Sequence, residues 1–326
     1  MSDDINYRQA IARALADEMA ADERVIFIGE DVGRAGGAFK STDGLFDRFG
    51  PARVRDTPIS EQAIIGAAIG AAVGGLRPVA EIMFADFAGV CFDQIANQLA
   101  KYRYMTGGQV TLPVTVRMAN GAGSGFAAQH SQAAENWFLN IPGLKIVVPG
   151  TVPDLYGLMR AAIRDDSPVL FFEHKNLFAV KGMIPDGGEL VPIGLADVVR
   201  TGPDVTIVAT QQMRHRAVEA AGLLAADGIE ATVIDPRTLV PFDDRTVVAS
   251  LQQTSRLAVI QEAPPPGSWG SSLIARIASQ HFELLDAPPL LIAADETPIP
   301  YAGNLEEAWL PGVERIVAEI TKQCAY

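Results

Sequence analysis

Short apolar runs alternate with amphipathic stretches along the first half of the chain. VIFIGE (25–30), PVAEIMF (78–84), VTLPVTVRM (110–118), LKIVVPG (144–150) and VLFFEH (169–174) read as strands, and helical patterning covers 5–21, 61–75, 88–105 and 153–164. Buried strands alternating with helices predict an α/β fold with a mainly parallel sheet. The pattern lapses over 175–195, which is rich in Gly and Pro and has no period. It then resumes with DVTIVAT (204–210), a helix near 212–227, IEATVID (229–235), RLAVIQEA (256–263), a helix near 270–284 and PLLIAAD (289–295). Two domains are therefore expected, 1–180 and 196–326, joined by a linker over 181–195. Neither half repeats the other at a short period, which excludes a solenoid.

Composition narrows the partners. A chain of 326 residues can build two cores, and 48% hydrophobic with 20% charged residues reads as globular. The formal net charge of −13 argues against nucleic acid, whose phosphates need clustered Lys and Arg, and suits a basic protein partner instead. Two cysteines without a CxxC give no disulfide framework or zinc site. The opening MSDDINYRQA lacks the regions of a signal peptide, and the uncharged run from Ala63 to Leu76 is shorter than the roughly 18 residues a membrane span takes. A cytoplasmic protein without a membrane segment is expected.

The segment RDTPISEQAIIGAAIGAAVGG (55–75) sets a carboxylate, Glu61, at the front of an almost wholly apolar helix. Ser60 is placed as the N-cap, and a negative charge in the first turn suits the helix dipole. Glu61 is thus either a helix-end charge or a desolvated functional group. Gly66, Gly70 and Gly74 recur every four residues, clearing a face for close approach of another helix. A second candidate is the loop 120–132, NGAGSGFAAQHSQ, which follows a strand and carries His130 among glycines and polar residues. Its Gly123-x-Gly125-x-x-Ala128 is a weak dinucleotide fingerprint, with no acidic residue closing the next strand. Asp93, Asn97 and Lys101 fall on one stripe of a helix, as neighbours satisfied locally or by a partner. His174, His215 and His281 have no metal-ligand spacing.

With these residues in view, the chain resembles beta subunits of the thiamine-diphosphate-dependent decarboxylating component of 2-oxo acid and acetoin dehydrogenase complexes. The likeness runs from about residue 5 to 320. It is carried by IGEDVG (28–33), RVRDTPISE (53–61), GLRPVAEIMF (75–84), DQIANQLAKYRYMTGGQ (93–109), NGAG and AAQHSQ (120–132), IPGLKIVVP (141–149), AAIRDDSPV (161–169) and IDPRTLVPFD (234–243). The resemblance implies a pyrimidine-binding domain with a mainly parallel sheet, followed by a transketolase C-terminal-like α/β domain. It also implies an alpha subunit in an α2β2 tetramer, and a lipoyl acyltransferase core docked on the C-terminal domain. Glu61 would meet a ring nitrogen of the cofactor's aminopyrimidine, with Glu30 nearby and Ile59, Met83 and Phe87 as the apolar wall. His130 would stand near the bound acyl group, handling a proton or orienting lipoyl transfer, with Gln129 assisting. Ala162, Asp165 and Ser167 match a loop that holds a monovalent cation such as K+ in some relatives, although Ser167 departs from that pattern.

In this family a Gly-Asp-Gly segment followed by Asn-Asn holds the diphosphate and its Mg2+. Here Asp43-Gly44, Asp186-Gly187 and Asp227-Gly228 are preceded by Thr42, Pro185 and Ala226, and no Asn-Asn occurs. The chain reads as half an active site, inactive without its alpha subunit. FADFAGVCFDQ (84–94) and VIDPRTLVPFD (233–243) look more like acetoin-type and pyruvate-type relatives than branched-chain ones. The rival readings are a split transketolase acting on a sugar phosphate and a non-catalytic assembly subunit.

Overall fold

The computed structural model describes residues 4–184 and 188–325. The Asp186-Gly187 pair and part of the expected linker lie outside them. The chain divides into two compact units, residues 1–120 with 137–193, and residues 121–136 with 194–326. Residues 121–136, assigned to the first domain by their place in the sequence, thus group with the second.

In the first unit, β1 (Asp4–Asn6) leads into α1 (Tyr7–Ala21), followed by β2 (Val25–Gly29), α2 (Leu45–Phe49), β3 (Val54–Asp56), α3 (Glu61–Val73) and β4 (Arg77–Phe84). Then come α4 (Tyr102–Met105), β5 (Thr115–Asn120), β6 (Lys145–Val147), α5 (Val152–Arg164), β7 (Val169–His174) and β8 (Lys181–Met183). The strands run in the order β6-β7-β5-β4-β2-β3, every pair parallel. All residues of β2, β5 and β7 are buried, as continuous apolar runs in a doubly covered parallel sheet should be. Asn6 starts α1 with a reciprocal capping box to Gln9. The buried stripe of α1, Tyr7, Ala10, Ile11, Ala14, Leu15 and Met19, packs on α5. Glu18, itself buried, ties the two helices by accepting from Arg160 at 2.7 Å and Arg164 at 2.8 Å.

Two expectations need correction. Lys181–Met183 is not linker but a strand, paired antiparallel with β1. The single helix expected over 88–105 is instead a 3-10 turn at Ala85–Gly89, a π-helical segment at Gln94–Leu99 and the short α4. The π segment packs against α3, where Gly66 faces Gln94 and a Cβ would meet its Oε1 at an ordinary contact distance of 3.6 Å. Asn97 donates to Asp93 at 2.7 Å and Lys101 to the Pro142 carbonyl at 2.6 Å, so the polar stripe is satisfied locally.

The second unit holds β9 (Asp197–Arg200), β10 (Val205–Ala209), α6 (Gln211–Ala226), β11 (Ala231–Asp235), β12 (Thr238–Val240), α7 (Asp244–Thr254) and β13 (Leu257–Ile260). It continues with α8 (Trp269–Gln280), β14 (Leu290–Ile292), α9 (Gly303–Trp309) and α10 (Val313–Cys324). Its sheet runs β14-β13-β10-β11-β9, parallel except for the edge strand β9. Ala217, Ala220, Ala221 and Leu224 of α6 and Ile316 and Ile320 of α10 fill one core with Val205, Ile207, Val233 and Ile260. Among the described residues, no helix is long and apolar enough to cross a membrane.

Candidate active site

Strand order in the first unit reverses beside β2: β3 lies on one side and β4 on the other. Such a reversal opens a crevice outside the carboxyl ends of the strands, where open α/β sheets take their ligands. Glu30 follows β2, Glu61 opens α3 just after β3, and Met83 and Phe87 come from the end of β4 and the turn beyond it. Both carboxyl groups are withdrawn from water, Glu30 being 8% and Glu61 7% exposed. Burial, and then the charge of Glu61, push the Glu30 carboxyl above its ordinary value against an opposing hydrogen bond from the Ser60 backbone. Desolvation and a neighbouring carboxylate both disfavour the charged form, so Glu30 retains a proton more readily than an ordinary glutamate.

Cys91 ties the turn after β4 to the same spot. Its thiol is fully buried, lies 3.9 Å from the Phe87 carbonyl and 3.7 Å from that of Ala88, and is pushed up to about 12 by burial and by the charge of Glu61. Phe87 and Met83 are half-buried, and Phe87 meets Phe84 edge-on at 5.5 Å between centroids. Ile59 is 83% exposed, at the rim of this group. Ser60 occupies the cap position, but its hydroxyl donates to the Pro58 carbonyl at 3.2 Å and makes no capping bond, which corrects the expected N-cap. The extended approach of Pro58 and Ile59 brings that nearer carbonyl within reach of Oγ.

Beneath the crevice lies an ion network that the hydrophobic pattern concealed. Arg117 of β5 donates through Nε and Nη2 to both oxygens of Glu173 on β7, at 2.8 and 2.6 Å. Nη1 pairs with Glu81 on β4, and Nη2 reaches the Ser41 hydroxyl at 3.0 Å. All four side chains are buried. Ser41 lies in the connection between Glu30 and α2, so the network braces the backbone leaving Glu30. One signal was available: a charge in the middle of three separate apolar runs.

The face of α3 away from its core residues is made of Gln62, Ala63, Ala67, Gly70, Val73 and Gly74, all exposed. A Cβ at Gly70 would meet nothing within 4 Å. Of the glycine ladder, Gly66 accommodates a neighbour within the chain and Gly70 faces open space.

The loop carrying His130 belongs to the second unit. Gly121, Gly123, Gly125 and Ala127 all have positive φ, at 86°, 93°, 72° and 59°. Its backbone N–H groups are taken by carboxylates: Ala122 donates to Glu262, Gly123 to Glu306 Oε1 at 2.7 Å and Gly125 to Glu306 Oε2 at 2.9 Å. The donors a dinucleotide phosphate would use are thus occupied by the chain itself, against the fingerprint. Gln129 is exposed and His130 half-buried.

Ala162 is in the last turn of α5 and Asp165 and Ser167 lie between α5 and β7, at the amino ends of the strands, where Arg77 at the start of β4 donates to the Asp165 carbonyl at 3.2 Å. Asp165 pairs with the Lys145 ammonium and accepts from the Ser167 N–H at 2.9 Å, while Ser167 Oγ accepts from Arg103 at 2.9 Å. The Asp165 carboxylate is thus paired with a protein ammonium.

Residues 3–181 match the family described as the transketolase pyrimidine binding domain, and residues 194–316 the transketolase C-terminal domain. Over 332 residues, covering 99% of this chain and 98% of the relative, the sequence is 46% identical to an acetoin:2,6-dichlorophenolindophenol oxidoreductase subunit beta of Cupriavidus necator. Identity to the protein of the same name from Bacillus subtilis is 47%, over 96% of this chain and 95% of the relative. A pyruvate dehydrogenase E1 component subunit beta of Rhizobium meliloti is 44% identical, over 97% of this chain and 69% of that one. Among solved structures, a split-gene transketolase described as an inactive beta4 tetramer superposes with a TM-score of 0.81 at 25% identity, covering 98% of each chain.

Proposed function

The chain belongs to the transketolase-type beta subunits of acetoin and pyruvate dehydrogenases, and we propose that it forms the pyrimidine half of a thiamine diphosphate site with Glu61 as its catalytic carboxylate. The observation that carries this reading is the buried Glu30–Glu61 pair at the reversal of strand order. An aminopyrimidine presents ring-nitrogen acceptors and an amino donor. Two buried carboxyl groups side by side, with Glu30 inclined to keep its proton, suit that edge, and Phe87 and Met83 supply apolar surface for the ring face. Thiamine diphosphate, when bound, supplies a nucleophilic carbon and an electron sink. Glu61 holds and exchanges a proton at a ring nitrogen, Glu30 limits the charge beside it, and Ile59 joins the wall where a partner surface closes over the rim.

The alpha subunit holds the diphosphate and Mg2+, for which this chain has no Gly-Asp-Gly and Asn-Asn segments. The bare face of α3 is where such a partner packs in an α2β2 tetramer. The substrate is acetoin or pyruvate, with the acyl group passing to lipoyl-lysine of an acyltransferase core. His130 acts at that acyl group, with Gln129 beside it, and the acidic second domain docks the core's basic binding module. The K+ expectation attaches to the Asp165 loop, and no step of the reaction is routed through it.

The test is enzyme reconstituted with an alpha subunit. Glu61→Gln and Glu61→Ala each lose about 100-fold or more in turnover, the scale of general acid–base assistance. Turnover near the parent's refutes the assignment. Preference for an aldose over a lipoyl acceptor would instead favour the split-transketolase reading.

A further inference from the structure

The sheet of the second unit also reverses, since β10 has β11 on one side and β13 on the other. A ligand crevice is expected outside the carboxyl ends of β10 and β13. In this protein the chain fills that region itself. Glu262, two residues beyond β13, accepts the N–H of Ala122, whose side chain is part of the second core. Left-handed residues at alternate positions turn the N–H groups of Gly123 and Gly125 toward a common point, an arrangement that receives an anion. The anion is the carboxylate of Glu306, 2% exposed, with one oxygen on Gly123 and the other on Gly125.

The mount of this carboxylate is firm. Trp309, at the end of the same helix, donates to the carbonyls of Asp295 at 3.0 Å and Thr297 at 3.2 Å. Arg216 grips Glu307 at 2.7 Å and the Pro311 carbonyl at 2.8 Å. At its other end the loop is pinned where Asn136 Oδ1 accepts the Trp269 N–H at 2.9 Å.

We infer that Glu306 is a positioning residue, a resident anion that fixes the loop presenting Gln129 and His130. The inference rests on the role given to His130 above. Glu306 touches neither substrate nor cofactor; it sets the backbone from which the histidine acts, so precision in His130 depends on a residue 183 positions from Gly123.

The experiment uses the assembled α2β2 enzyme with Glu306→Ala, Glu306→Gln and His130→Ala. Amide exchange in peptides spanning 121–131 is expected to accelerate about tenfold or more in both Glu306 variants, the scale of a lost charge-assisted hydrogen bond. Peptides of β10, β11 and β13 keep the parent's rates. Lipoyl-acceptor turnover falls by about the same factor, while thiamine diphosphate affinity, which depends on Glu30 and Glu61, is unchanged. Added formate restores part of the turnover of Glu306→Ala and slows loop exchange again, because a free carboxylate enters the vacated cradle. If Glu306→Ala fails to assemble, Glu306→Gln decides, since it keeps the shape but sets an amide N–H against a backbone N–H.

Unchanged loop exchange overturns the inference. So does faster exchange with parental turnover where His130→Ala is inactive. Parental turnover in His130→Ala removes the role given to that histidine, and the exchange rates then decide alone whether Glu306 holds the loop.

Discussion

Replacing Arg117 by Met exposes how much of the first unit depends on a single guanidinium. The side chain is 3% exposed and donates to both oxygens of Glu173, to Glu81 and to Ser41. Met fills similar volume without the charge, so the loss is electrostatic rather than a cavity. Glu81 and Glu173, 5% and 0% exposed, would be left as two buried carboxylates with no cation between them. Removing one partner of a buried ion pair costs about 3–5 kcal/mol, because the survivor keeps its desolvation penalty. For a unit of this size that is a fall in Tm of about 6–20 °C. The assay is thermal unfolding by circular dichroism at neutral pH and fixed protein concentration, with Arg117→Met compared against a triple variant that also carries Glu81→Leu and Glu173→Leu. The triple variant should recover much of the loss, since apolar groups of like volume replace buried ions at little cost. A single variant melting within about 2 °C of the parent, below what 1 kcal/mol produces, would refute the reasoning.

Three further outcomes follow from neighbouring observations. Gly70→Leu should leave the isolated chain as stable as the parent or up to about 1 kcal/mol more so, since the position is open and Leu is the better helix former. It should nonetheless abolish assembly with the alpha subunit, read by size-exclusion chromatography; intact assembly would show that the bare face of α3 is not the contact. Cys91, with its thiol near 12, is about one part in 10⁴ thiolate at pH 8, so iodoacetamide should label it only after unfolding, and labelling in the native protein would contradict its burial. Asp22 is lowered from 3.8 to about 2, chiefly by its hydrogen bond from Arg24. Its folded value is depressed, so its stabilisation is present above pH 3.8 and fades as pH falls toward 2; the Tm gap between parent and Asp22→Asn should close over that window, and a gap constant down to pH 2 would refute it.

What the sequence made legible follows from the range of the forces involved. The runs that became β2, β4, β7, β10 and β13 were readable because a parallel strand covered on both faces must be mainly apolar, a property of four to eight adjacent residues. β3 was missed because Val54–Asp56 carries two charges in three residues, its place being set by the strand beside it. The π-helical turn at Gln94–Leu99 packs against α3, a contact that no local pattern records. Glu61 is legible because a charge at the mouth of an Ala, Ile and Gly helix contradicts its surroundings, and that contradiction is what makes it a candidate.

The same reasoning explains why the site's supports were hidden. Glu81, Arg117 and Glu173 each look like an error within an apolar strand. They make sense only together, and the pairs lie 36 and 56 residues apart. The fingerprint in the His130 loop misled for the related reason that a glycine turn shows where N–H groups will point, not which anion will meet them. A phosphate and a glutamate satisfy the same backbone, and the choice between them was written in α9, far along the chain. Groups proposed to meet the cofactor, such as Glu61, can be read where they break a local pattern. Groups that hold those contacts in place can be read only once the fold has brought distant residues together.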